Sequence, residues 1–203
     1  MAYVTLPTFV SCSSSAGAKR ATLVRRQRRM YDNPEPSGFD FYRRAAAAIR
    51  TGREADMDAA AMDILVANAT PRSAPHYRAV ADGWLRYLGR RKPAVLNVGR
   101  ARWRCGALEV GITPQFGLRS AAGQDHAVHL YFKEEPLSRD AAHLALRLME
   151  LRMKDLLPHG GEPLVLDVRR SKAYTLGRRD RDRLDHWIRS EAAAFLTLWE
   201  PVA

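Results

Sequence analysis

Three consecutive pieces decide the reading of this chain: ALEVGIT at residues 107–113, HAVHLYFKE at 126–134 and PLSRDAAHLALRLMELRMKDL at 136–156. In the first, Leu108, Val110 and Ile112 alternate with Glu109, Gly111 and Thr113, the period that sends successive side chains to opposite faces of a strand. In the second, Val128, Leu130 and Phe132 share one face, and His129, Tyr131 and Lys133 share the other. Turn residues Pro114, Gly117 and Gly123 lie between them, so the two read as paired strands. In the third the period lengthens. Ala141, Leu144, Ala145, Leu148, Leu151 and Leu156 mark one side of a helix over 138–157, closed by Pro158, His159, Gly160 and Gly161.

Beyond this core, Leu164–Val168 reads as a strand, with Leu164, Leu166 and Val168 inward and Val165, Asp167 and Arg169 opposite. Lys172–Leu176 extends it or pairs with it through a tight turn at Arg170 and Ser171. A last helix runs from Arg179 to Trp199, with Leu184, Trp187, Ile188, Phe195, Leu198 and Trp199 inward. Asp180, Asp182 and Asp185 suit the positive end of its dipole.

On the other side of the core, from Ala94, the period is again two. Arg100, Arg102 and Arg104 alternate with Ala101, Trp103 and Cys105, which puts three guanidinium groups on one face of a strand and Trp103 in the core. Such a row either binds phosphates or blunts a sheet edge. Gly106 marks a bulge or bend.

Three helices precede it. The first spans 39–50, capped by Ser37 with Asp40 three residues on and ended by Gly52. The second spans 54–69, with Met57, Ala61, Leu65 and Ala69 on one stripe; the third spans 75–91, with Tyr77, Ala81, Trp84, Leu85 and Leu88 inward. Pro34 and Pro36 belong to a linker. Residues 1–20 read as weakly structured, because Ser11 and Ser13 to Ser15 compete for backbone hydrogen bonds. Lys19, Arg20, Arg25, Arg26, Arg28 and Arg29 follow as a dense cationic helix face or tail. The expected organisation is a basic arm and linker over 1–36, then one α/β (α+β) domain over 37–203. That domain has a helical half at 37–92 and a small mixed sheet flanked by helices at 93–203.

A chain of 203 residues with 46% hydrophobic side chains can bury a substantial core. Its net charge of +11 directs attention to polyanions. The excess is uneven, at +6 over 1–50, +4 over 51–110 and +1 over 111–203. Only Lys19, Lys92, Lys133, Lys154 and Lys172 are lysines, so the basic side chains are mostly arginines, whose planar fork suits phosphate. A GC-rich genome produces the same arginine and alanine bias. Cys12 and Cys105 have no metal-ligand spacing, which fits a reducing cytoplasm rather than a disulfide framework. No apolar run approaches the ~20 residues of a membrane span. Ala16-Gly17-Ala18 lacks the preceding basic residues of a signal peptide. Neither a membrane partner nor a cofactor is expected. There is no phosphate-loop, dinucleotide-binding, zinc-protease or serine-hydrolase motif, and the six histidines are scattered.

Glu109, His129, Tyr131, Lys133 and Asp167 form a class of polar positions with apolar neighbours. Were they to cluster, Glu109 and Asp167 would hold Mg²⁺ and Lys133 would orient an attacking water, the logic of metal-assisted phosphodiester hydrolysis. The plainer reading has His129 and Tyr131 packing against a helix and the charged groups pairing with neighbours.

Over residues 75–170 the order helix, strand, strand, helix, strand resembles the core of the PD-(D/E)XK, or restriction-endonuclease-like, superfamily. Where that family places Pro-Asp, this chain has Thr113-Pro114-Gln115; where it places Asp/Glu-X-Lys, this chain has Tyr131-Phe132-Lys133. Only Pro114 and Lys133 match. The resemblance implies a metal-dependent nuclease whose acids are displaced, with Glu109, Glu134 or Glu135 as substitutes. The Leu130–Lys133 strand is also similar to one in a bacterial family, which supplies no function.

Three readings of function follow. The first is a non-catalytic nucleic-acid-binding protein of low sequence preference, using Arg25, Arg26, Arg28, Arg29, Arg100, Arg102 and Arg104 on phosphates. The second is a scaffold or accessory protein with an acidic protein partner. The third is a degenerate nuclease using Mg²⁺ with Glu109, Lys133 and Asp167.

Overall fold

The computed structural model describes residues 1–33, 41–177 and 181–200. It opens with β1 (Ala2–Thr5), which leads directly into α1 (Leu6–Ser13), and α2 (Gly17–Asp32) follows. Pro7 sits in the first turn of α1, where no intrahelical N–H is needed. The weakly structured segment expected over 1–20 is corrected; of the basic arm and linker expected over 1–36, residues 1–33 carry β1, α1 and α2. Leu6, Phe9, Val10 and Cys12 of α1 and Val24 of α2 are buried in a shared core. The serines read as competitors of the backbone serve the helix instead. The Ser15 hydroxyl donates at 3.1 Å to the Ser11 carbonyl, an acceptor that the end of α1 leaves open, and the Ser14 hydroxyl adds a 2.8 Å bond to the Val10 carbonyl beside that from its own N–H.

The three expected helices are α3 (Arg43–Glu54), α4 (Asp58–Ala67) and α5 (Ala74–Leu88). The Ser37–Asp40 cap, the Pro34–Pro36 linker and Phe39 lie outside the described residues. Gly52 does not end the first of these helices. It lies within α3, where a Cβ would come 2.7 Å from the Ala61 Cβ of α4, so glycine allows the two helices to approach. The stripe on α4 is rotated from expectation, with Met62 and Leu65 buried and Met57 exposed. A polar cluster joins the three helices. Asp58 pairs with Arg53 at 2.7 Å and accepts the Trp84 indole N–H at 3.0 Å, and all three side chains are buried.

Next come β2 (Ala94–Leu96), β3 (Ala101–Cys105), β4 (Leu108–Ile112), β5 (Phe116–Arg119) and β6 (Asp125–Tyr131). They are followed by α6 (Arg139–Leu151), α7 (Met153–Leu156), β7 (Glu162–Asp167), a 3-10 turn at Val168–Arg170, β8 (Lys172–Tyr174) and α8 (Arg181–Trp199). Ser138 caps α6 by accepting the Ala141 N–H at 3.1 Å. The expected start of α8 at Arg179 and Asp180 lies outside the described residues; within it, Ile188, Ala192 and Phe195 are the buried positions.

The architecture is α/β with two mixed sheets. One has the order β1-β4-β3, with β1 parallel and β3 antiparallel to β4. The other has the order β2-β5-β6-β7-β8, in which β6 and β7 are parallel and the remaining neighbours antiparallel. The expected pairing of 107–113 with 126–134 is therefore corrected, since β4 and β6 belong to different sheets. The partner of β6 is β5, masked in the sequence by the turn residues Pro114 and Gly117. Gly106 is no bulge. It opens the two-residue β3–β4 hairpin loop at φ +56°, a conformation that tight hairpins assign to glycine.

Alternation along the five-stranded sheet feeds two cores. Phe116, Leu118, Val128, Leu130, Leu164 and Leu166 pack with α3, α4 and α5. Ala127 and Val165 pack on the other side with α6, α1, α8 and the inner face of the three-stranded sheet. Among the described residues, no helix is long and apolar enough to cross a membrane.

Removing one member of the Arg53–Asp58 pair leaves a buried charge without its main partner. Asp58→Ala is expected to lower unfolding stability by about 3 kcal/mol in urea titration. A loss under about 1 kcal/mol would mean that Asp56, which also pairs with Arg53, carries the interaction.

Candidate functional site

The arginines of α2 divide into two sets. Arg20 lies beside the C-terminal end of α1, where its Nε donates to the Cys12 and Ser15 carbonyls at 3.1 and 2.8 Å and its Nη2 to the Ser13 carbonyl at 2.9 Å. The same guanidinium pairs with Glu191 of α8. A cation at a helix C-terminus meets the negative end of the dipole, so Arg20 ties α1, α2 and α8 together. Arg28 does similar work at the end of α8, donating to the Trp199 carbonyl at 2.7 Å. The second set is Lys19, Arg25, Arg26 and Arg29. These are exposed and have no ion pair or hydrogen bond among the described residues. Of the four α2 arginines in the expected phosphate-contact set, three are available and Arg28 is engaged.

The row Arg100, Arg102, Arg104 also divides. Arg102 and Arg104 stand on the outer face of the three-stranded sheet, where both reach Glu109 of β4. Arg102 Nη1 lies 3.0 Å from one carboxylate oxygen and Arg104 Nε 2.6 Å from the other. Glu109 is only 2% exposed, whereas the two arginine side chains remain 65% and 66% exposed. Two cations on one carboxylate leave one positive charge in surplus at the surface. Tyr3 crosses Gly111 on this face and is partly exposed, with the Arg102 guanidinium 5.9 Å from its ring centre. Arg100 precedes β3 and lines a different feature, the cleft described below.

Asp167 ends β7 with no solvent exposure. Its carboxylate accepts the Leu137 N–H at 3.2 Å and two contacts from Arg170 Nη1 at 3.3 Å. Arg170 also donates to the Lys133 and Glu134 carbonyls, and the Tyr174 hydroxyl donates to the Leu137 carbonyl at 2.7 Å. Asp167 therefore organises the loop between β6 and α6. Lys133 donates to the Ser11 hydroxyl of α1 at 2.5 Å. Glu109 and Asp167 are thus engaged in different sheets: Glu109 faces outward on the three-stranded sheet and is covered by arginines, while Asp167 is sealed inside the five-stranded one. Among the described residues no group of three or more His, Cys, Asp or Glu side chains is placed to hold a metal ion.

Pro114 and Gln115, just before β5, and Tyr131 to Lys133, at the end of β6, line one open cleft of about 810 Å³. The Gln115 Oε1 accepts the Leu130 N–H at 2.8 Å, so this side chain extends the strand ladder. Arg43, Arg50, Arg100 and Lys133 line the cleft, and no carboxylate does among the described residues. Arg50 donates from Nε to Glu54 and from Nη2 to Asn97, both at 2.8 Å. His129 forms part of the wall. It is 7% exposed, its Nδ1 has no hydrogen-bond partner, and burial pushes its pKa down to about 4. Sequence reading missed Arg50 and Asn97, which lie within α3 and in the loop after β2. No period or motif connects such positions to a strand terminus.

A histidine whose folded pKa lies below its ordinary value of 6.5 favours the neutral form. Its contribution to stability is complete above about pH 6.5 and is lost as pH falls toward 4. Between pH 7 and pH 5 the loss attributable to His129 should be roughly 2 kcal/mol. Denaturant titrations of His129→Gln at the two pH values should show that much less pH dependence than the parent; an unchanged dependence would place the acid sensitivity elsewhere. Compared with known proteins, the chain matches no family model and no curated protein, so these assignments stand on its own residues.

Proposed function

We propose that this is a nucleic-acid-binding protein that holds phosphates through exposed arginines and does not cleave the chain it binds. The observation that carries the reading is the split within α2. Arg20 and Arg28 have structural partners, whereas Lys19, Arg25, Arg26 and Arg29 are exposed and meet no carboxylate among the described residues. All four lie on one helix, α2. Phosphates, spaced regularly along a strand, are natural partners for such a helix face.

The outer face of β1-β4-β3 is a second contact zone. Tyr3 offers a partly exposed ring and Arg102 and Arg104 flank it with surplus positive charge, the combination that accepts an unstacked base beside its phosphate. Binding without catalysis is favoured because Glu109 and Asp167 are engaged in separate sheets and the cleft holding Lys133 lacks a carboxylate among the described residues. The Mg²⁺-dependent alternative would need acids from elsewhere. A cytoplasmic location and a bacterial origin accompany this reading as part of the proposal.

Binding to a strand of roughly 30 nucleotides should weaken steeply with salt, and replacing Arg25, Arg26 and Arg29 together by Ala should lower the log–log salt slope by about 2. Arg20→Ala should instead lower thermal stability and leave that slope near the parent value. Absence of binding to DNA and RNA at about 50 mM salt would overturn the proposal. Recovery of a stoichiometric complex with an acidic protein that survives nuclease treatment would favour the scaffold reading.

A further inference from the structure

The cleft at the end of β6 has features that the α2 surface lacks. Its cations come from three separate elements: Arg50 from α3, Arg100 from the loop after β2, and Lys133 from the loop after β6. Arg100 makes no ion pair or hydrogen bond among the described residues. Lys133 is bonded to a neutral hydroxyl, and Arg50 keeps Nη1 outside its contacts with Glu54 and Asn97. Arg100 and Lys133 meet no carboxylate among the described residues, and of these three only Arg50 has one, Glu54, so the cleft carries a surplus of positive charge that an anion relieves. The buried His129 ring in the same wall lacks a protein partner at Nδ1, and a buried polar atom without a partner calls for an explanation.

We infer that this cleft binds a phosphate monoester, the terminal phosphate of a nucleotide, with Arg50, Arg100 and Lys133 as its charged anchors. The shape of the anion follows from the donors. Cationic residues from three elements line the cleft, with Lys133 tethered at its edge by Ser11, and a tetrahedral acceptor with several equivalent oxygens can serve more of them than a flat carboxylate with two. The size of the ligand follows from the space, since about 810 Å³ exceeds what a lone phosphate fills and lies in the range that holds a nucleotide. Tyr42 also lines the cleft, its ring fixed by parallel stacking on Phe132 at 5.1 Å, and supplies an aromatic wall near the base. The ligand is either a free nucleotide or the phosphorylated end of a strand; the chemistry recognised is the same. This inference rests on the cleft and is independent of the reading given to α2.

Calorimetric titration of the full chain with adenosine 5′-monophosphate, adenosine and inorganic phosphate tests it. The monophosphate should bind, adenosine should not, and inorganic phosphate should compete. Arg100→Gln and Lys133→Gln, both at exposed positions that leave the core intact, should each weaken monophosphate binding about tenfold. The Arg25, Arg26 and Arg29 triple Ala variant should bind it as the parent does, which separates failure here from failure of the strand-binding proposal. Tighter binding of a 5′-phosphorylated hexanucleotide than of the monophosphate assigns the site to a strand end, and the reverse to a free nucleotide; either supports it. Equal binding of adenosine and its monophosphate, no binding at about 5 mM, or an unchanged Kd in both cleft variants would overturn it.

Discussion

The parallel pairing of β6 with β7 is the constraint from which the rest of the fold follows. Parallel neighbours require a crossover, here α6 and α7, and both faces of the pair must be covered. Val128, Leu130, Leu164 and Leu166 on one face demand the α3–α5 layer; Ala127 and Val165 on the other demand α6 and the elements packed behind it. The same pairing determines where polar groups converge. β2 runs in the same sense as β6, with β5 antiparallel between them. The segments leaving β2 and β6 and entering β5 therefore lie at one end of the sheet. That end carries Asn97, Arg100, Gln115 and Lys133, which is why residues distant in sequence line one cleft. Ligands in open sheets commonly sit beyond the carboxyl ends of parallel strands.

Charge is distributed by function as much as by position. Several arginines act as internal fasteners: Arg20 on the end of α1, Arg28 on the end of α8, Arg53 inside the helical layer, and Arg170 on the loop before α6. In each case the guanidinium reaches backbone carbonyls or a buried carboxylate, which its several donors suit. The cations exposed without an ion pair or hydrogen bond among the described residues include Lys19, Arg25, Arg26 and Arg29 of α2 and Arg100 of the cleft, and also Arg78 and Arg86 of α5 and Arg183 and Arg189 of α8. Where such cations cluster is therefore more informative than the net charge of +11.

The sequence was most legible where large apolar residues alternate along a strand. The alternation of Val128, Leu130 and Phe132, and of Leu164, Leu166 and Val168, identified the sheet face that meets the helices, and the mixed α/β class followed. It was less legible where a polar position is covered by its neighbours. Alternation in Leu108–Ile112 was correctly seen, but Glu109 is buried by arginines and Gly111 lies under Tyr3, so the polar face is covered too. Strand partners were not legible either, because β5 is short and carries Gly117, and β1 looked like part of a tail. Among site residues, Lys133 and Arg100 were chosen for separate reasons and turn out to share a cleft. Glu109 and Asp167 were grouped by pattern, whereas the two sheets separate them. A strand pattern reports the side of a residue within its own sheet; it carries no information on which sheet that is.

The central claim is that Arg25, Arg26 and Arg29 of α2 and Arg100 of the cleft contact phosphate, while Arg20, Arg28 and Arg53 serve the fold. Nitrogen-detected NMR of arginine Nε–H groups during titration with a short 5′-phosphorylated strand tests that division residue by residue. The account predicts large shifts for Arg25, Arg26, Arg29 and Arg100, with Arg20, Arg28 and Arg53 unmoved. Shifts spread evenly over both sets, or confined to the paired arginines, would contradict it.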